Sequence, residues 1–239
     1  MDFESLSLTT PYIPHCTHDI DAGNTAVKVF FSSTCEKFST ACLLDDIHPL
    51  LTLLNASKSV SIRFRSSLPI ALQNRFLEAL QDYGYPLHRL EKAQLLPLMD
   101  AWHYNTEDLG LDRMVNIVKA RQYSRASGVI VVSAGTATTV DFIQGKAHLG
   151  GWIQLGLGLW QSTLAEKIPH LSMPLPEATD ALPTSTAEAL AFGGIHPYVQ
   201  GLAQGIQTMK ARCFGASEEV EILVTGGYAT ALQVLKEAI

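Results

Sequence analysis

Apolar and polar residues alternate over residues 26–32, and this period of two is typical of a strand that is half-buried in a sheet. A short strand at 19–22 precedes it across a turn, and 59–64 is a further strand candidate. Leu, Ile and Phe instead recur at helical spacing over 45–57 and 70–82. The pattern therefore predicts a strand–turn–strand unit, followed by helices and one more strand.

The second part of the chain begins with GVIVVSAG at 128–135, a continuous β-branched run typical of a strand in the centre of a sheet. TTVDFI and HLGGWI follow it and are predicted to be its hairpin-connected neighbours. EILVTGG at 221–227 predicts a last buried strand that runs into a final helix.

Helices at 157–168 and 185–212 complete this second part. Each part begins with a strand that ends in a glycine-containing turn, and another strand follows each turn. Two related domains are the simplest interpretation, at 18–107 and 108–239. Residues 1–17 are polar, contain two prolines and have no period, so we expect them to form a loose N-terminal extension.

Composition restricts the kind of protein. The chain has 239 residues of which 47% are hydrophobic, enough for one or two globular domains. A net charge of -6 disfavours nucleic acid as a partner, because phosphate binding over a surface needs clustered Lys and Arg. The four cysteines have no CxxC spacing, which favours reduced thiols. No leader or membrane-spanning run is evident, so we expect a cytoplasmic protein without a membrane partner.

Two glycine turns are the first candidates for chemistry, DAGNT at 21–25 and AGTATTVD at 134–141. Glycine lets backbone amides approach a phosphate closely, and the neighbouring short side chains add donors. Asp21 and Asp141 could bind Mg²⁺ directly or through water and offset the charge of ATP phosphates. A plain hairpin turn has the same composition. Because the two turns occupy equivalent positions, the pair favours phosphate binding.

A third glycine turn, VTGGYA at 224–229, follows a buried strand and opens a helix. Such a turn can accept a flat ligand ring against bare backbone, or hold an anion at the helix N-terminus. A tight connection from strand to helix would need the same small residues, so this motif alone leaves both interpretations open.

A helix is predicted within 107–122, and Asp112 and Arg113 fall in its first turn. An Asp at this position complements the helix dipole, which is the structural explanation. The functional alternative is that Asp112 acts as the general base for a substrate hydroxyl while Arg113 steadies an anionic group.

Taken in order, these motifs resemble those of the type III pantothenate kinases, members of the actin, hsp70 and sugar kinase superfamily. The matching stretches are DAGNT (21–25) with Lys28, LGLDR (109–113), GTATTVD (135–141), GGWI (150–153), STAEALAFG (185–193) and TGG (225–227). The similarity runs from about residue 18 to residue 229, which is nearly the whole chain.

The resemblance implies an α/β fold of two RNase H-like (actin-like ATPase) domains, with mixed sheets flanked by helices around a central cleft, and a homodimer. It implies transfer of the γ-phosphate of ATP to the 4′-hydroxyl of pantothenate, the first step of coenzyme A biosynthesis. It also implies dependence on Mg²⁺ and on a monovalent cation, K⁺ or NH₄⁺.

The resemblance also implies a role for particular residues. Asp112 would be the base, and Asp21 and Asp141 would work with the metal. The phosphates of ATP would meet Asp21, Gly23, Asn24, Thr25, Lys28, Gly135, Thr136 and Thr138, and its adenosine end would meet Gly226 and Gly227. Pantothenate would meet Tyr104, Gly110, Arg113 and, from the partner subunit of the dimer, Thr186.

Two alternatives remain at this point. The same phosphate turns would serve another small-molecule kinase or a phosphohydrolase of the superfamily, since only the acceptor pocket would differ. A catalytically silent accessory regulator is the third hypothesis, because close relatives of the family were first described as accessory factors for gene expression.

Overall fold

The structure is a computed structural model, and it describes residues 17–31, 34–57, 61–82, 84–171, 182–233 and 235. The predicted N-terminal extension lies outside these residues, apart from Thr17. The chain divides into two compact units, Met1–Gln122 and Tyr123–Ile239. The domain limits at 107 and 108 that the sequence favours stay a prediction.

The first unit is built on a five-stranded mixed sheet. The strands of this sheet are β1 (His18–Ala22), β2 (Ala26–Phe31), β3 (Thr34–Ser39), β4 (Ile62–Ser66) and β5 (Leu87–Arg89). A two-residue strand, β6 (Ala101–Trp102), comes later in the chain and does not belong to this sheet. The strand order is β3-β2-β1-β4-β5. The first three strands are antiparallel neighbours, whereas β4 runs parallel to β1 and β5 runs parallel to β4. This is the RNase H-like topology.

The helices of this unit are α1 (Thr40–Asp45), α2 (His48–Ala56), α3 (Ile70–Asp82), α4 (Lys92–Leu95) and α5 (Leu111–Tyr123), the last of which ends one residue beyond the unit. One face of the sheet is apolar, because alternate residues such as Val27 and Val29 point to the same side. That face packs against Leu50 and Leu54 of α2 and Phe76 of α3 to form the core. The predicted helix at 70–82 is confirmed, and the predicted strand at 26–32 is confirmed over 26–31, the part that the structure describes.

One strand differs from its prediction. The strand expected at 59–64 is observed as β4, Ile62–Ser66. Arg63 and Arg65 interrupt its apolar pattern, and charged residues are ordinarily taken as the end of a buried strand. Both are nevertheless buried, since each pairs with an aspartate of β1.

The second unit repeats the arrangement. Its strands are β7 (Gly128–Ala134), β8 (Ala137–Gln144), β9 (Ala147–Leu155) and β10 (Val220–Thr225), and its helices are α6 (Leu157–Lys167) and α7 (Thr186–Cys213). Hairpins join β7, β8 and β9, and β10 lies parallel to β7 on the other side. Alternate residues such as Val140 and Phe142 pack against Leu202 and Ile206 of α7.

Each unit therefore contains three antiparallel strands and a fourth strand that runs parallel to the first of them. The predicted α/β class with two mixed sheets and flanking helices is confirmed. Of the final helix predicted after β10, the structure describes a 3₁₀ turn at Thr230–Leu232 and a helical residue, Leu235, while residues 234 and 236–239 lie outside the described part of the chain. Among the described residues, no helix is both long and apolar enough to cross a membrane.

Candidate active site

The first glycine turn joins β1 to β2 and is held tight by two hydrogen bonds. The Gly23 amide donates to the Ala26 carbonyl at 3.0 Å, and the Thr40 hydroxyl donates to the Gly23 carbonyl at 2.6 Å. Asn24 and Thr25 form the exposed tip of the turn. Two short polar side chains are thus presented to solvent directly after the end of β1.

Asp21 stands at the end of β1, next to this turn. Arg65 lies opposite it on β4, and the Nη2 atom of Arg65 donates to Oδ2 of Asp21 at 3.0 Å. Burial alone would raise the pKa of Asp21, but the charge and hydrogen bond of Arg65, together with the charges of Lys28 and Lys119, lower this pKa below its usual value. Asp21 is therefore held as a carboxylate.

Asp112 lies in the first turn of α5, where its side chain is exposed. Neighbouring protein atoms still remove much of the water around its carboxyl group, and this desolvation raises the pKa of Asp112. The negative charge of Asp21 raises it further, while the backbone N–H of Arg113 and the charge of Arg65 oppose the increase. The structure thus brings Asp21 and Asp112 into electrostatic contact and shifts their pKa values in opposite directions.

Three other predicted substrate residues surround the start of α5. The guanidinium carbon of Arg113 lies 5.1 Å from the ring centroid of Tyr104, and Arg113 is only 4% exposed. Gly110 precedes the helix, and a Cβ atom there would lie 2.5 Å from Oδ1 of Asp112. A side chain at position 110 would therefore displace the Asp112 carboxyl group.

Lys119 was not among the predicted site residues. It lies seven positions after Asp112 on α5, hence on the same face of the helix, and its Nζ is 5.6 Å from the ring centroid of Phe30. Burial, followed by repulsion from Arg65, lowers the pKa of Lys119 to about 7. A buried amine that titrates near neutrality thus lies within electrostatic reach of Asp21.

The second glycine turn joins β7 to β8 in the other unit. The Gly135 amide donates to the Ala137 carbonyl at 3.1 Å, and Thr136 is exposed at the tip. Gly156 packs so closely that a Cβ atom there would clash with the Thr136 carbonyl. Gly226 has φ 102° and lies against the backbone of Ala134, whereas a Cβ atom on Gly227 would meet no atom of the described residues within 4 Å. Gly135 and Gly226 are therefore neighbours.

Thr138 and Asp141 point into the interior of this unit. Each is 1% exposed, and Tyr198 donates its hydroxyl hydrogen to Oγ1 of Thr138 at 2.6 Å. Oδ1 of Asp141 lies 2.9 Å from Nε2 of His148, which is completely buried. These two side chains support the strands that carry the turn.

Thr186 is the first residue of α7 and is exposed. It follows a capping box, in which the Ser185 hydroxyl accepts from the Glu188 amide at 3.3 Å and the Glu188 carboxylate accepts from the Ser185 amide at 3.1 Å. The start of this helix is thereby well defined.

The fit of the predicted carboxylates to Mg²⁺ differs between the two units. Oδ1 of Asp21 accepts no hydrogen bond from any residue that the structure describes, and Mg²⁺ commonly takes one or two protein carboxylates beside waters and nucleotide phosphates. Asp21 fits this requirement, whereas the buried, histidine-bound carboxylate of Asp141 does not fit direct coordination. In the described part of the chain, no three His, Cys, Asp or Glu side chains cluster as a metal centre.

Comparison with known proteins identifies the family. The sequence profile of the type III pantothenate kinases matches residues 19–208. A relative named type III pantothenate kinase from Saccharophagus degradans is 29% identical over 234 residues, which covers 91% of this chain and 88% of the relative. Another of that name, from a Marinomonas species, is 35% identical and covers 89% and 84% respectively. The chain belongs to the type III pantothenate kinase family.

Solved structures agree on the fold. A putative Baf family transcriptional activator from Campylobacter jejuni aligns with TM-score 0.54 and 20% identity, covering 92% of this chain and 93% of that protein. The ethanolamine utilization protein EutJ from Carboxydothermus hydrogenoformans aligns with TM-score 0.50 and 10% identity, covering 97% and 83%. At these identities, the two structures are similar to this chain in fold alone.

Proposed function

We propose that this chain transfers the γ-phosphoryl group of ATP to the 4′-hydroxyl of pantothenate, the first step of coenzyme A biosynthesis. Family membership supports the reaction. The observation that carries the proposal is the pair of coupled carboxylates, Asp21 and Asp112, with pKa values shifted in opposite directions. Neighbouring acidic groups whose surroundings separate their pKa values are typical of sites that assign them different roles.

Asp21 binds the metal in this proposal. When bound, Mg²⁺ neutralises charge on the ATP phosphates, so the protein needs to supply little beyond positioning and further charge. The tight turn of Gly23, Asn24 and Thr25 offers backbone and side-chain donors to those phosphates, and Lys28 adds a positive charge.

Asp112 is the general base. It accepts the proton of the pantothenate hydroxyl while that oxygen attacks the γ-phosphorus, the bond from this phosphorus to the bridging oxygen breaks and ADP leaves. A raised pKa makes a carboxylate a better proton acceptor. An Asp that only caps the helix would have its pKa lowered by the helix dipole. The pKa of Asp112 is raised instead, which favours the base over the plain cap.

Pantothenate binds beside the start of α5. Arg113 steadies its anionic end, Tyr104 holds the guanidinium group through the ring contact, and Gly110 leaves the Asp112 carboxyl group accessible. The chain works as a homodimer in which Thr186 reaches the pantothenate site of the partner subunit.

The second unit supplies a further nucleotide-binding surface. Gly135 and Thr136 form a second phosphate turn, Thr138 supports it from inside, and Gly226 and Gly227 receive the adenosine end. The open space above Gly227 supports this assignment, because a flat ring can lie against bare backbone there. The reaction also uses a monovalent cation, K⁺ or NH₄⁺, and takes place in the cytoplasm.

The test is product formation by the purified chain. Incubation with ATP, Mg²⁺, pantothenate and either K⁺ or NH₄⁺ yields phosphopantothenate by mass spectrometry. Asp112→Asn lowers kcat by about 10²- to 10⁴-fold, the usual contribution of a general base. The matched control is Asp108→Asn in the preceding loop, where the carboxylate accepts a local hydrogen bond from Asn105 at 2.7 Å.

Three outcomes decide between the hypotheses. Phosphopantothenate from the wild type and the Asp108 variant, but not from the Asp112 variant, supports the proposal. Turnover of another alcohol in a substrate panel, with pantothenate unchanged, identifies a different kinase of the superfamily. Absence of product under both cations, together with no nucleotide binding by thermal shift, indicates a silent regulator.

A further inference from the structure

Two aspartate–arginine pairs lie side by side on β1 and β4. The parallel register places Asp19 opposite Arg63 and Asp21 opposite Arg65, so both pairs project from the same face of the sheet. Arg63 and Arg65 are similarly buried, with 3% and 6% of their surfaces exposed. The two pairs are thus matched in location and residue type, and their arginines are matched in burial, while Asp21 is the more exposed of the two aspartates.

The pairs differ in how the guanidinium group holds the carboxylate. Arg63 uses Nε at 2.6 Å and Nη2 at 2.5 Å, one donor to each oxygen of Asp19. This is the two-pronged geometry that makes arginine–carboxylate pairs strong. Arg65 reaches Asp21 through Nη2 alone, at 3.0 Å. One oxygen of Asp21 is therefore held and the other is left open.

The Nε donor of Arg65, whose counterpart in Arg63 binds the carboxylate, makes no such contact here. This nitrogen is buried, and it has no hydrogen-bond partner among the residues that the structure describes. A buried donor without a partner destabilises the fold, so the Arg65 pair is not arranged for greatest stability. The neighbouring Arg63 pair shows that these two strands can support the stronger geometry.

Arg65 is also the cation shared by the two functional carboxylates. The charges of Asp21, Asp19 and Asp112 all act on its guanidinium group. Two neighbouring carboxylates repel each other when both are ionised, and a cation close to both reduces that repulsion. A ligand-binding carboxylate oriented by a hydrogen-bonded partner is a recurrent feature of metal sites.

We propose that Arg65 is a positioning residue for phosphoryl transfer, which holds Asp21 by one oxygen, leaves the other oxygen for Mg²⁺ carried by ATP, and supplies a positive charge that acts on both Asp21 and Asp112. The inference rests on the proposed roles of these two aspartates. Arg65 itself forms no bond to substrate in this account.

The experiment compares Arg65→Gln, Arg65→Lys and Arg65→Met with the matched series Arg63→Gln, Arg63→Lys and Arg63→Met. Calorimetry measures ADP binding with Mg²⁺ and with chelator, and the ratio of the two Kd values reports the contribution of the metal without turnover. Steady-state kinetics measure kcat and the KM for pantothenate separately, and circular dichroism confirms folding of each variant.

In Arg65→Gln and Arg65→Met, we expect the Mg²⁺ contribution to ADP affinity and kcat to fall by about 10- to 100-fold, as for other residues that orient metal ligands. The KM for pantothenate stays within about twofold, because Arg65 does not contact that substrate in our account. Arg65→Lys recovers part of both losses, since an ammonium group can still reach one carboxylate oxygen. The Arg63 variants lose thermal stability while the Mg²⁺ contribution is retained.

Two results would overturn the proposal. The first is an equal loss of the Mg²⁺ contribution to ADP affinity in the Arg63 series. The second is an Arg65→Met protein whose Mg²⁺ contribution and kcat equal those of Arg65→Lys. If the Gln and Met variants do not fold, Arg65→Lys decides alone, because its unchanged Mg²⁺ contribution and kcat would contradict the assignment. Measurements on the wild type separate a failure of the proposed reaction from a failure of the proposed role of Arg65. If the wild type binds ADP with Mg²⁺ but leaves pantothenate unchanged, the proposed reaction is wrong while the calorimetric comparison still tests Arg65.

Discussion

Replacing Lys119 by Met is expected to stabilise the protein, and to do so in a way that depends on pH. Lys119 is 4% exposed, and its amine lies among two arginines and two aspartates. Burial and the repulsion of Arg65 and Arg63 outweigh the attraction of Asp19 and Asp21, so the pKa falls from 10.5 to about 7. A methionine of similar length fills the same space without a charge.

The direction in which stability changes with pH follows from whether the folded or the unfolded chain holds the Lys119 proton. Above about pH 7 and below about pH 10.5, the unfolded chain holds the Lys119 proton and the folded chain does not, so stability rises with pH through this window. Below about pH 7 the folded chain must also carry the buried charge, and the full penalty is present. Each unit by which a pKa is shifted corresponds to about 1.4 kcal/mol, so the fall from 10.5 to about 7 limits the penalty for burying the Lys119 charge to about 5 kcal/mol.

Part of this gain is offset, because the substitution removes the cation–π contact with Phe30, worth about 0.5–2 kcal/mol, and the other contacts of the amine. We therefore expect Lys119→Met to raise the free energy of unfolding by about 2–4 kcal/mol at neutral pH and by almost nothing near pH 10. Urea denaturation across this range measures the difference.

Two control variants sharpen this test. Lys119→Arg keeps a buried cation throughout the range, so it gains no stability at neutral pH. Lys146→Met, in the exposed turn between β8 and β9, changes stability by less than about 0.5 kcal/mol at every pH. A Lys119→Met protein that is less stable at neutral pH, or one whose gain is the same at all pH values, would refute the reasoning.

Further predictions concern both units. Asp112→Asn raises the thermal midpoint, or leaves it unchanged, at neutral pH in differential scanning fluorimetry, since a carboxylate with a raised pKa is destabilising when ionised. Gly226→Ala lowers stability by about 1–3 kcal/mol and weakens ATP binding, because φ is 102° and a Cβ atom would clash with β7, whereas Gly227→Ala leaves stability unchanged. Asp141→Asn lowers stability by about 1.5–3 kcal/mol without changing the Mg²⁺ requirement measured by titration. Mixing Thr186→Ala with Asp112→Asn subunits restores turnover if the site is shared across a dimer, and no recovery after confirmed subunit exchange would contradict this.

The sequence predicts the fold well because its strands and glycine turns are local signals. The alternation in β2 and the continuous apolar run in β7 each define a strand within a few residues. The repeat of a strand and a glycine turn indicates two related units, and four strands of each sheet follow the same order, β3-β2-β1-β4 in the first and β9-β8-β7-β10 in the second.

The charged cluster is harder to predict because it depends on pairing between distant strands. Arg63 and Arg65 lie 44 residues from the aspartates that they meet, and no local pattern distinguishes them from solvent-exposed charges. The only available signal was the matching spacing of two charges on each strand, HDIDA and IRFRS, which becomes informative once the parallel register is known.

Asp141 illustrates the opposite case, in which a motif residue has an unexpected environment. The resemblance implied a role at the metal, yet its carboxylate is buried against His148 on the neighbouring strand. A β-bulge at this part of the β8–β9 pair shifts the register, so the contact was not evident from residue spacing.

The pH dependence of kcat/KM for pantothenate tests the central claim most directly, because it reports the free enzyme's essential base. Activity is lost as pH falls through the raised pKa of Asp112, so the account predicts an acid limb with its midpoint above about 3.9, the ordinary value for aspartate. The residual activity of Asp112→Asn lacks this limb. A limb that persists unchanged in Asp112→Asn, or a wild-type midpoint at or below the ordinary aspartate value, would contradict the account.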